Sequence, residues 1–378
     1  MVQIKFSDDF KEQPAVIKVV GLGGAGGNAV NRMVESGLSH VEFIAANTDS
    51  QALRRNLSAT RLQMGENISK GLGVGGNPVL GRQAAEESRD RLKEVLSGSD
   101  MIFITAGMGG GTGTGSAPLV AQLAKTLDPA PLVVAVVTKP FEFEGLVRQS
   151  QAEAGIAELR PYVDTLLTIP NDRLFDIIDE STPTQDAFKM ADNVLRQAVQ
   201  AITDVITRHG VVNVDFADVR TIMAGAGEAL MGIGVGHGKD RAVEAAKEAM
   251  HSPMLENVDI EGAKGLLVNI SGAKTITLHE VKNAMDFIRN AASPDAHVFY
   301  GHVFDESLED RFHVTVIATG FPPPAKSRRR EPDAATNARR GSSSRPAPVV
   351  RVSPGGEVTV SDDLRRPAYL RWKIRKLQ

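Results

Sequence analysis

The segment GGGTGTG at residues 109–115 is the feature that most limits what this chain can fold into. Five glycines and two threonines in seven residues supply almost no side chain for packing, so the segment does not belong to a core. It stands between an apolar strand-like run at 101–105 and a helical pattern, which distinguishes it from a simple linker. Consecutive backbone N–H groups there can surround a terminal phosphate, and the hydroxyls of Thr112 and Thr114 can donate to its oxygens. The segment therefore predicts a phosphate-binding turn.

Residues 15–170 alternate apolar strand-like runs with amphipathic helical stretches such as 81–96 and 117–127. The predicted strands are 16–20, 41–46, 101–105, 132–138 and 163–169. Because these runs are continuously apolar, they predict a parallel sheet covered by helices on both faces. The predicted fold class is a doubly wound α/β domain, which binds its ligand at the carboxyl ends of the strands.

A second glycine-rich turn, GLGGAGGN at 21–28, follows the first predicted strand. It satisfies G-x-G-x-x-G at Gly21, Gly23 and Gly26, which lets backbone N–H groups approach a diphosphate at a helix N-terminus. Dinucleotide enzymes use the same pattern, and Asp49 stands about where they keep a ribose-binding acid. This turn alone fits a nicotinamide dinucleotide and another nucleotide equally well. The other phosphate turn favours a nucleoside triphosphate, and the sequence has no G-x-x-x-x-G-K-[ST] motif of a P-loop NTPase.

One helical pattern runs from residue 184 to residue 208, and its wide apolar stripe predicts a helix packed on two sides. A second α/β unit follows, with predicted strands near 265–270, 297–301 and 313–319. We therefore divide the chain into a flexible N-terminus (1–13), a nucleotide-binding domain (14–183), a central helix (184–209), a smaller C-terminal domain (210–320), a disordered linker (321–366) and a docking peptide (367–378).

Composition excludes several function classes. The chain has no cysteine, so disulfides and thiolate metal sites are excluded. From Phe321 onward, 14 Lys and Arg stand against 5 Asp and Glu, a net of +9, so the total of −3 leaves about −12 on residues 1–320. An acidic body repels nucleic acid, which is therefore not an expected partner. The N-terminus has no apolar signal-peptide core, and no apolar run approaches the roughly 20 residues of a spanning helix. We expect a cytoplasmic protein without a transmembrane segment.

Seven motifs, in order along residues 14–320, resemble the tubulin/FtsZ family. They are GLGGAGGN (21–28), NTD (47–49), GLGVGGNP (71–78), GGGTGTG (109–115), KPFEFEG (139–145), IPND (169–172) and NVDFADVR (213–220). The resemblance implies a tubulin/FtsZ-like fold and a GTPase that polymerises head to tail. GTP and GDP are then substrate and product, Mg²⁺ accompanies the phosphates, and K⁺ is a further candidate ion.

The resemblance also implies a role and partners. The family forms the cytokinetic ring scaffold of bacterial cell division, on the inner face of the membrane. Residues 210–320 correspond to its GTPase-activating and polymerisation domain. PAYLR, which opens the docking peptide, resembles the family's C-terminal peptide, which binds membrane-tethering and regulatory division proteins. The expected partners are therefore other copies of the chain and these division proteins.

Phe188 and Asp192 are four residues apart, so they share one face of the central helix. A ring there can stack on a purine, while a carboxylate can accept from the N1–H and exocyclic amine of guanine. Taken alone, the pair is more simply a core phenylalanine and a solvated acid. The resemblance makes both residues guanine contacts, adds Asn171 at the base, and implies that Glu144 and Arg148 contact ribose and phosphate. The other nucleotide contacts that we predict are Gly23, Gly24, Ala25, Gly26, Asn28, Asn47, Asp49, Gly73, Ala106, Gly107, Gly109, Gly110, Gly111, Thr112, Gly113, Thr114, Gly115 and Pro140.

The predicted catalytic residues are Asn213, Asp215 and Asp218. Acids in a first helical turn commonly cap the helix, which is the simpler interpretation of this D-x-x-D pattern. However, a helix of 25 residues spans roughly 37 Å and puts this segment at the opposite end of the molecule from the nucleotide. The segment also matches the family's synergy loop residue by residue. Asp215 and Asp218 of one subunit are therefore predicted to polarise the water that attacks the γ-phosphate held by the next subunit.

Three features depart from the family's pattern. Val74 and Gly76 stand where alanine is more common, in a loop near the γ-phosphate. His209 stands where proline is common. Arg365 and Arg366 precede Pro367 where the family has an acid, so the basic ending could instead touch anionic lipid.

Two rival functions remain beside the polymerising GTPase. The first glycine turn alone supports a nicotinamide-dependent oxidoreductase, but the turn at 109–115 weighs against it. A paralogue that binds GTP as a structural or regulatory module, without sustained hydrolysis, is the closer rival. The presence of both Asp215 and Asp218 favours hydrolysis.

Overall fold

The structure is a computed structural model. It describes residues 14–179, 181–208, 212, 214–254 and 262–321, and the backbone of two short strands at 351–352 and 358–359. The chain divides into two compact units, Met1–Pro323 and Pro324–Gln378. In the second unit, Arg351–Val352 pairs antiparallel with Val358–Thr359. Our predictions for 1–13, for most of the linker and for the docking peptide lie outside the described residues.

Ten strands form one sheet in the first unit. They are β1 Ile17–Leu22, β2 Glu42–Asn47, β3 Thr60–Gln63, β4 Met101–Gly107, β5 Leu132–Lys139, β6 Thr165–Pro170, β7 Gly227–Gly236, β8 Gly265–Gly272, β9 His297–Phe304 and β10 Phe312–Thr319. Their order is β3-β2-β1-β4-β5-β6-β7-β10-β8-β9. Strands β1 to β6 pair in parallel, as predicted. Strand β10 runs antiparallel to β7 and β8, so the sheet has a parallel half and a mixed half.

Helices cover both faces of the parallel half. The helices of the first unit are α1 Gly23–Glu35, α2 Ser50–Arg54, α3 Glu66–Ser69, α4 Pro78–Glu87, α5 Arg89–Leu96, α6 Thr112–Lys125, α7 Leu146–Leu159, α8 Thr184–Thr207, α9 Phe216–Met223, α10 Arg241–Met250 and α11 Leu278–Ala291. Successive residues of β1 enter different cores: Ile17 and Val19 pack with α1 and α8, whereas Val20 and Leu22 pack with α4 to α7. The predicted doubly wound α/β fold is therefore confirmed.

Helix α8 joins the two halves of the sheet. Its 24 residues form one uninterrupted helix, about 36 Å long, which agrees with the prediction. Its buried side chains share one core with α1 and β5 on the parallel side and with Met231 of β7 and Leu267 of β8 on the other. This packing on two sides explains the wide apolar stripe in the sequence.

Two details differ from the predictions. The stretch 81–96 forms α4 and α5 rather than one helix, because the backbone leaves helical geometry at Ser88 and its hydroxyl accepts the Gly65 N–H at 3.1 Å. Strands β3 and β7 were not predicted, since one is short and polar and the other is rich in glycine. None of the described helices has the length and apolarity needed to cross a bilayer.

Candidate nucleotide-binding site

The first glycine turn connects β1 to α1 at the carboxyl edge of the sheet. Gly23 has a φ of 70°, a conformation that L side chains rarely adopt. A Cβ on Gly26 would lie 2.3 Å from the carbonyl oxygen of Thr105, and one on Gly21 would lie 2.4 Å from the Gly26 carbonyl oxygen. Only glycine therefore lets α1 approach β1 and β4 this closely, which brings its N-terminal N–H groups to the edge where a ligand binds.

The second glycine turn connects β4 to α6, and its two threonines have different environments. Thr114 is buried, and its hydroxyl oxygen accepts the Gly109 N–H at 2.8 Å, so it holds the shape of the turn. Thr112 is half-buried at the first residue of α6, with its hydroxyl oxygen 2.7 Å from that of Thr48. The Thr112 hydroxyl is therefore the one nearer the open surface of the turn.

The two glycine turns face each other. A Cβ on Gly23 would lie 3.0 Å from the backbone nitrogen of Gly113 and 3.3 Å from the Cβ of Thr112. By contrast, a Cβ on Gly24 or Gly110 would meet nothing within 4 Å. The turns thus leave open space above them and together form one surface of backbone N–H groups that suits a chain of phosphates.

Other glycines in the second turn are explained by packing. A Cβ on Gly111 would lie 2.7 Å from the Asn77 nitrogen, and one on Gly115 would lie 2.1 Å from the Pro78 carbonyl oxygen. These positions let α4 pack directly on α6. Gly107, at the end of β4, similarly leaves room for Ala25, and Ala106 is fully buried within the strand.

A cavity of about 180 Å³ opens beside these turns at the N-terminal end of α8. Seven predicted contacts line it: Ala25, Pro140, Glu144, Arg148, Asn171, Phe188 and Asp192. Met108, Thr138 and Ala191 also line it and were not predicted. Thr138 lies near the carboxyl end of β5, so the rule that locates ligands at strand ends could have identified it. The cavity brings together residues from five separate segments of the sequence.

Three side chains, Phe188, Asn171 and Asp192, give the cavity the chemistry of a purine site. The Phe188 ring is 41% exposed and is held edge-on by the Phe141 ring, with centroids 5.4 Å apart. The Asn171 side-chain oxygen is buried and has no hydrogen-bond partner in the described part of the chain. A buried acceptor without a donor is unfavourable, so its position favours a ligand that supplies an N–H group.

Asp192 is the acid of this cavity. Burial raises its pKa to about 7, and the positive charge of Arg32 on α1 opposes that shift. The carboxyl group is thus held where its charged form is poorly solvated. Two N–H donors on one edge of a ligand would give the charged carboxylate the hydrogen bonds that water does not supply in this buried position. Guanine has this pair of donors, and adenine does not.

Glu144 and Arg148 form an ion pair at the rim of the cavity. The other carboxylate oxygen of Glu144 accepts the Phe141 N–H at 3.0 Å, which fixes the acid. The carbonyl oxygen of Arg148 would lie 2.8 Å from a Cβ on Gly109, so this rim adjoins the second glycine turn. The pair therefore lies between the purine-type cavity and the phosphate-binding turns.

Four other predicted contacts, Gly23, Gly24, Asn28 and Asn47, line a separate cavity of about 220 Å³ on the other side of α1. The Asp49 carboxylate caps α2 and accepts from the nitrogens of Gln51 at 2.8 Å and Ala52 at 3.3 Å. The structure therefore does not bring these residues to the purine-type cavity.

Two larger cavities, of about 530 and 730 Å³, lie along α8 against the mixed half of the sheet. No residue of either glycine turn lines them. Size alone therefore does not identify the nucleotide site.

The predicted catalytic acids lie at the opposite edge of the sheet. Asp215 caps α9 by accepting the Asp218 N–H at 2.8 Å, and Asn213 lies outside the described residues. Helix α9 contacts the amino ends of two strands: Arg220 donates to the Ala130 carbonyl before β5, and the Thr165 hydroxyl donates to the Met223 carbonyl at 2.6 Å. Because the glycine turns follow the carboxyl ends of the same sheet, the acids and the cavity are on opposite sides of one subunit.

Comparisons with known proteins match both halves of this architecture. A model of the tubulin/FtsZ family GTPase domain matches residues 16–179, and a model of the FtsZ family C-terminal domain matches residues 227–322. A solved structure described as an FtsZ dimer from M. jannaschii is 42% identical, with a TM-score of 0.78, and the match covers 82% of this chain and 89% of that chain. The chain belongs to the tubulin/FtsZ family.

Two less similar solved structures share the fold. CetZ2 from Haloferax volcanii, described as a GTPγS-bound protofilament, is 22% identical with a TM-score of 0.68, and the match covers 81% of this chain and 93% of that chain. CetZ1 from the same organism, described as a GDP-bound monomer, is 20% identical with a TM-score of 0.68. Within the family, residues 16–179 are the GTPase domain, which supports GTP binding and hydrolysis in general.

The departures from the tubulin/FtsZ pattern can be located where the structure describes them. Gly76 has a φ of 76°, so glycine relieves the backbone strain that an alanine would bring at this position. Val74 is buried, and its side chain packs on Gly111 of the second turn. His209 and Arg365–Arg366 lie outside the described residues.

Proposed function

We propose that this chain is a GTPase that polymerises head to tail and hydrolyses GTP at a site completed by the next subunit. One observation carries the proposal: the purine-type cavity and the Asp215–Asp218 pair lie at opposite edges of one compact unit, separated by α8. A subunit cannot bring these acids to its own nucleotide. A second copy, stacked in the same orientation, can bring them there, and such contacts produce an open filament.

In this proposal the cavity binds guanine. Phe188 stacks on the base, Asp192 accepts from its N1–H and exocyclic amine, and the unpartnered oxygen of Asn171 accepts a further N–H. Arg148 and Glu144 contact the ribose and the first phosphate. The glycine turns then follow the phosphate chain, with the backbone N–H groups of 110–113 and the Thr112 hydroxyl at its end.

Hydrolysis requires a water in line with the terminal phosphate and donors for the charge that develops there. The exposed Asp215 and the half-buried Asp218 of the next subunit are suited to orient and polarise this water. The N–H groups of the second glycine turn stabilise the negative charge on the phosphate oxygens. Asn213 stays a predicted member of this set.

Among the residues that the structure describes, the side chains do not form a metal site of their own. In the described part of the chain, no group of three or more His, Asp or Glu side chains could hold a metal ion. Asp49, the acid after β2, already caps α2. We infer that Mg²⁺ would arrive with the phosphates of the nucleotide and assign it no protein ligand. K⁺ stays a candidate ion for assembly without an assigned site.

The surface around the cavity suits a second copy of the chain. Large apolar side chains are exposed on segments that follow β3, β5 and β6 at the carboxyl edge: Leu72, Val79, Phe143, Leu146, Val147, Phe175 and Ile177. Exposed apolar side chains that share one edge of a fold commonly mark a protein interface. Solved relatives described as a dimer and as a protofilament are consistent with self-association of this chain.

We further propose that the filaments form the cytokinetic ring scaffold of bacterial cell division at the inner face of the membrane. Residues 367–378 would dock on membrane-tethering and regulatory division proteins. Their basic and aromatic composition suits an acidic partner or anionic lipid.

Ending the chain at residue 366 is expected to leave assembly and GTP turnover intact, because the GTPase domain and α9 are unchanged. The shortened chain should no longer co-sediment with vesicles that carry the tether. Vesicles of anionic lipid alone, run beside them, separate lipid binding from tether binding. Undiminished sedimentation on both kinds of vesicle would remove this role from the peptide.

The function is tested by measuring phosphate release from GTP against protein concentration, with light scattering recorded in the same cuvette. We expect both signals to appear together above a threshold concentration, since one subunit lacks a complete site. Release strictly proportional to protein, without scattering, would mean that each subunit has a self-contained site. Bound GTP with neither signal would support the non-hydrolysing structural module.

The raised pKa of Asp192 predicts that GTP binding weakens as pH falls. In the free protein the carboxyl group is protonated below about pH 7, whereas guanine requires the ionised form. Lowering the pH from about 8 to about 6 should therefore reduce GTP affinity about tenfold. Equilibrium titration across this range measures the effect.

The control for this measurement is Asp192→Asn, which cannot titrate. The other groups that can titrate, which are the phosphates of GTP and the neighbouring Glu144, Arg148 and Arg32, are the same in this variant. A pH dependence equal to that of the wild type would assign the effect to the phosphates or to another side chain.

A further inference from the structure

Thr48 is a fully buried polar residue directly after β2, and the function described above gives it no role. Its hydroxyl oxygen lies 2.7 Å from that of Thr112 at the start of α6. In the described part of the chain, Thr48 Oγ1 has no other hydrogen-bond partner. A buried hydroxyl needs a hydrogen-bond partner, and Thr112 supplies it here.

The backbone of Thr48 holds a different segment. Its carbonyl oxygen accepts the Gly73 N–H at 3.2 Å and the Ser69 hydroxyl at 3.0 Å. The loop that follows Ser69 contains five residues with positive φ: Lys70, Gly71, Gly73, Gly75 and Gly76. Val74 of this loop packs on Gly111. One residue therefore connects the loop at 70–76 to the second glycine turn.

We propose that Thr48 is a positioning residue that makes the site prefer GTP over GDP, an inference that rests on the proposed function. In this proposal Thr48 donates its only hydroxyl proton to Thr112, because Thr112 is the one hydrogen-bond partner of this hydroxyl in the described part of the chain. The proton of Thr112 is then directed away from the pair and toward the open side of the turn, where it can donate to the terminal phosphate.

The geometry explains why the pair discriminates between nucleotides. An isolated hydroxyl can rotate and can either donate or accept. The buried Thr48 fixes the Thr112 hydroxyl as a donor on its exposed side, and a terminal phosphate is the ligand group that needs a donor there. GDP lacks that phosphate, so its binding does not depend on the pair. The same residue fixes the loop at 70–76 through its carbonyl group, which ties the position of this loop to the Thr112 hydroxyl.

The test compares Thr48→Val, which keeps the shape without the hydroxyl, with Thr48→Ser, which keeps the hydroxyl. Affinities for GDP and for the non-hydrolysable GTP analogue GMPPCP are measured by equilibrium titration on the full chain. We expect Thr48→Val to bind GMPPCP about tenfold more weakly while its GDP affinity stays within about twofold of the wild type. Thr48→Ser should restore the preference.

A double mutant distinguishes positioning from a general structural role. Because Thr48 acts through Thr112, adding Thr48→Val to Thr112→Val should cause no further loss of GMPPCP affinity. Equal loss of both nucleotides in Thr48→Val, an unchanged ratio, or a full additional loss in the double mutant would each overturn the proposal. Wild-type protein that binds neither nucleotide would instead overturn the proposed function itself.

Discussion

Asp218→Ala is expected to bind GTP and assemble like the wild type but to hydrolyse GTP about a hundredfold more slowly. Asp218 lies in α9 at the amino edge of the sheet, away from the cavity of its own subunit, so removing it should leave nucleotide affinity unchanged. Single-turnover hydrolysis in preformed polymer measures the chemical step separately from assembly. Wild-type turnover in this variant would remove Asp218 from the mechanism.

Asp215 needs a different substitution, because its carboxylate also caps α9. Asp215→Ala would lose both the charge and the cap, and the cap alone is worth about 1 kcal/mol. Asp215→Asn keeps an oxygen that can accept the Asp218 N–H and removes only the charge. A fall in turnover with an unchanged melting temperature in Asp215→Asn would therefore assign the effect to catalysis and not to folding.

Mixing two inactive variants tests whether the site is shared. Asp218→Ala keeps an intact cavity, and Asp192→Ala keeps intact acids. When equal amounts of the two variants combine at random in one filament, half of the cavities and half of the acid pairs are intact. An intact cavity then meets an intact acid pair at about a quarter of the interfaces. The mixture should therefore recover up to about a quarter of wild-type turnover, whereas each variant alone should be nearly inactive. A mixture no more active than its components would mean that cavity and acids act within one subunit.

The parallel half of the sheet could be predicted because its strands are continuously apolar. Such a signal depends only on local sequence, and so does the repeat of apolar residues along α8. Strand β7 gave no such signal. A Cβ on Gly234 would lie 2.0 Å from the Ala245 carbonyl oxygen, and one on Gly236 would lie 1.8 Å from the Arg241 carbonyl oxygen. These glycines are needed because α10 packs directly on the strand, and that requirement comes from tertiary structure.

The candidate site shows the same division. The glycine turns are recognisable in the sequence because phosphate binding needs a run of small residues. The difference between Thr112 and Thr114 is not, since the two residues are identical in type and only the start of α6 decides which hydroxyl is buried. The high pKa of Asp192 is likewise invisible in the sequence, because it arises from burial beneath segments distant along the chain. Spacing predicts which residues share a face, whereas their electrostatic environment depends on packing.

Asp192→Asn is expected to weaken GTP binding about a hundredfold and to create binding of xanthosine triphosphate. The carboxylate of Asp192 can accept from both N–H groups on one edge of guanine, and the two charge-assisted bonds account for this magnitude. Xanthine carries an oxygen where guanine carries its exocyclic amine. An asparagine offers one acceptor and one donor, so it matches the N1–H and this oxygen. Competition titrations with both nucleotides measure the exchange of preference.

Phe188→Ala is the matched control, because it removes the stacking surface without altering the hydrogen-bond pattern. It should weaken the binding of both nucleotides by about 1–3 kcal/mol, the loss expected for base stacking. The ratio of the two affinities should stay unchanged. Loss of GTP binding in Asp192→Asn without any gain for xanthosine triphosphate would mean that Asp192 supports the cavity without touching the base. An unchanged preference for GTP would place guanine outside this cavity altogether, and the hydrogen-bond donor for the buried Asn171 oxygen would then have to be sought elsewhere.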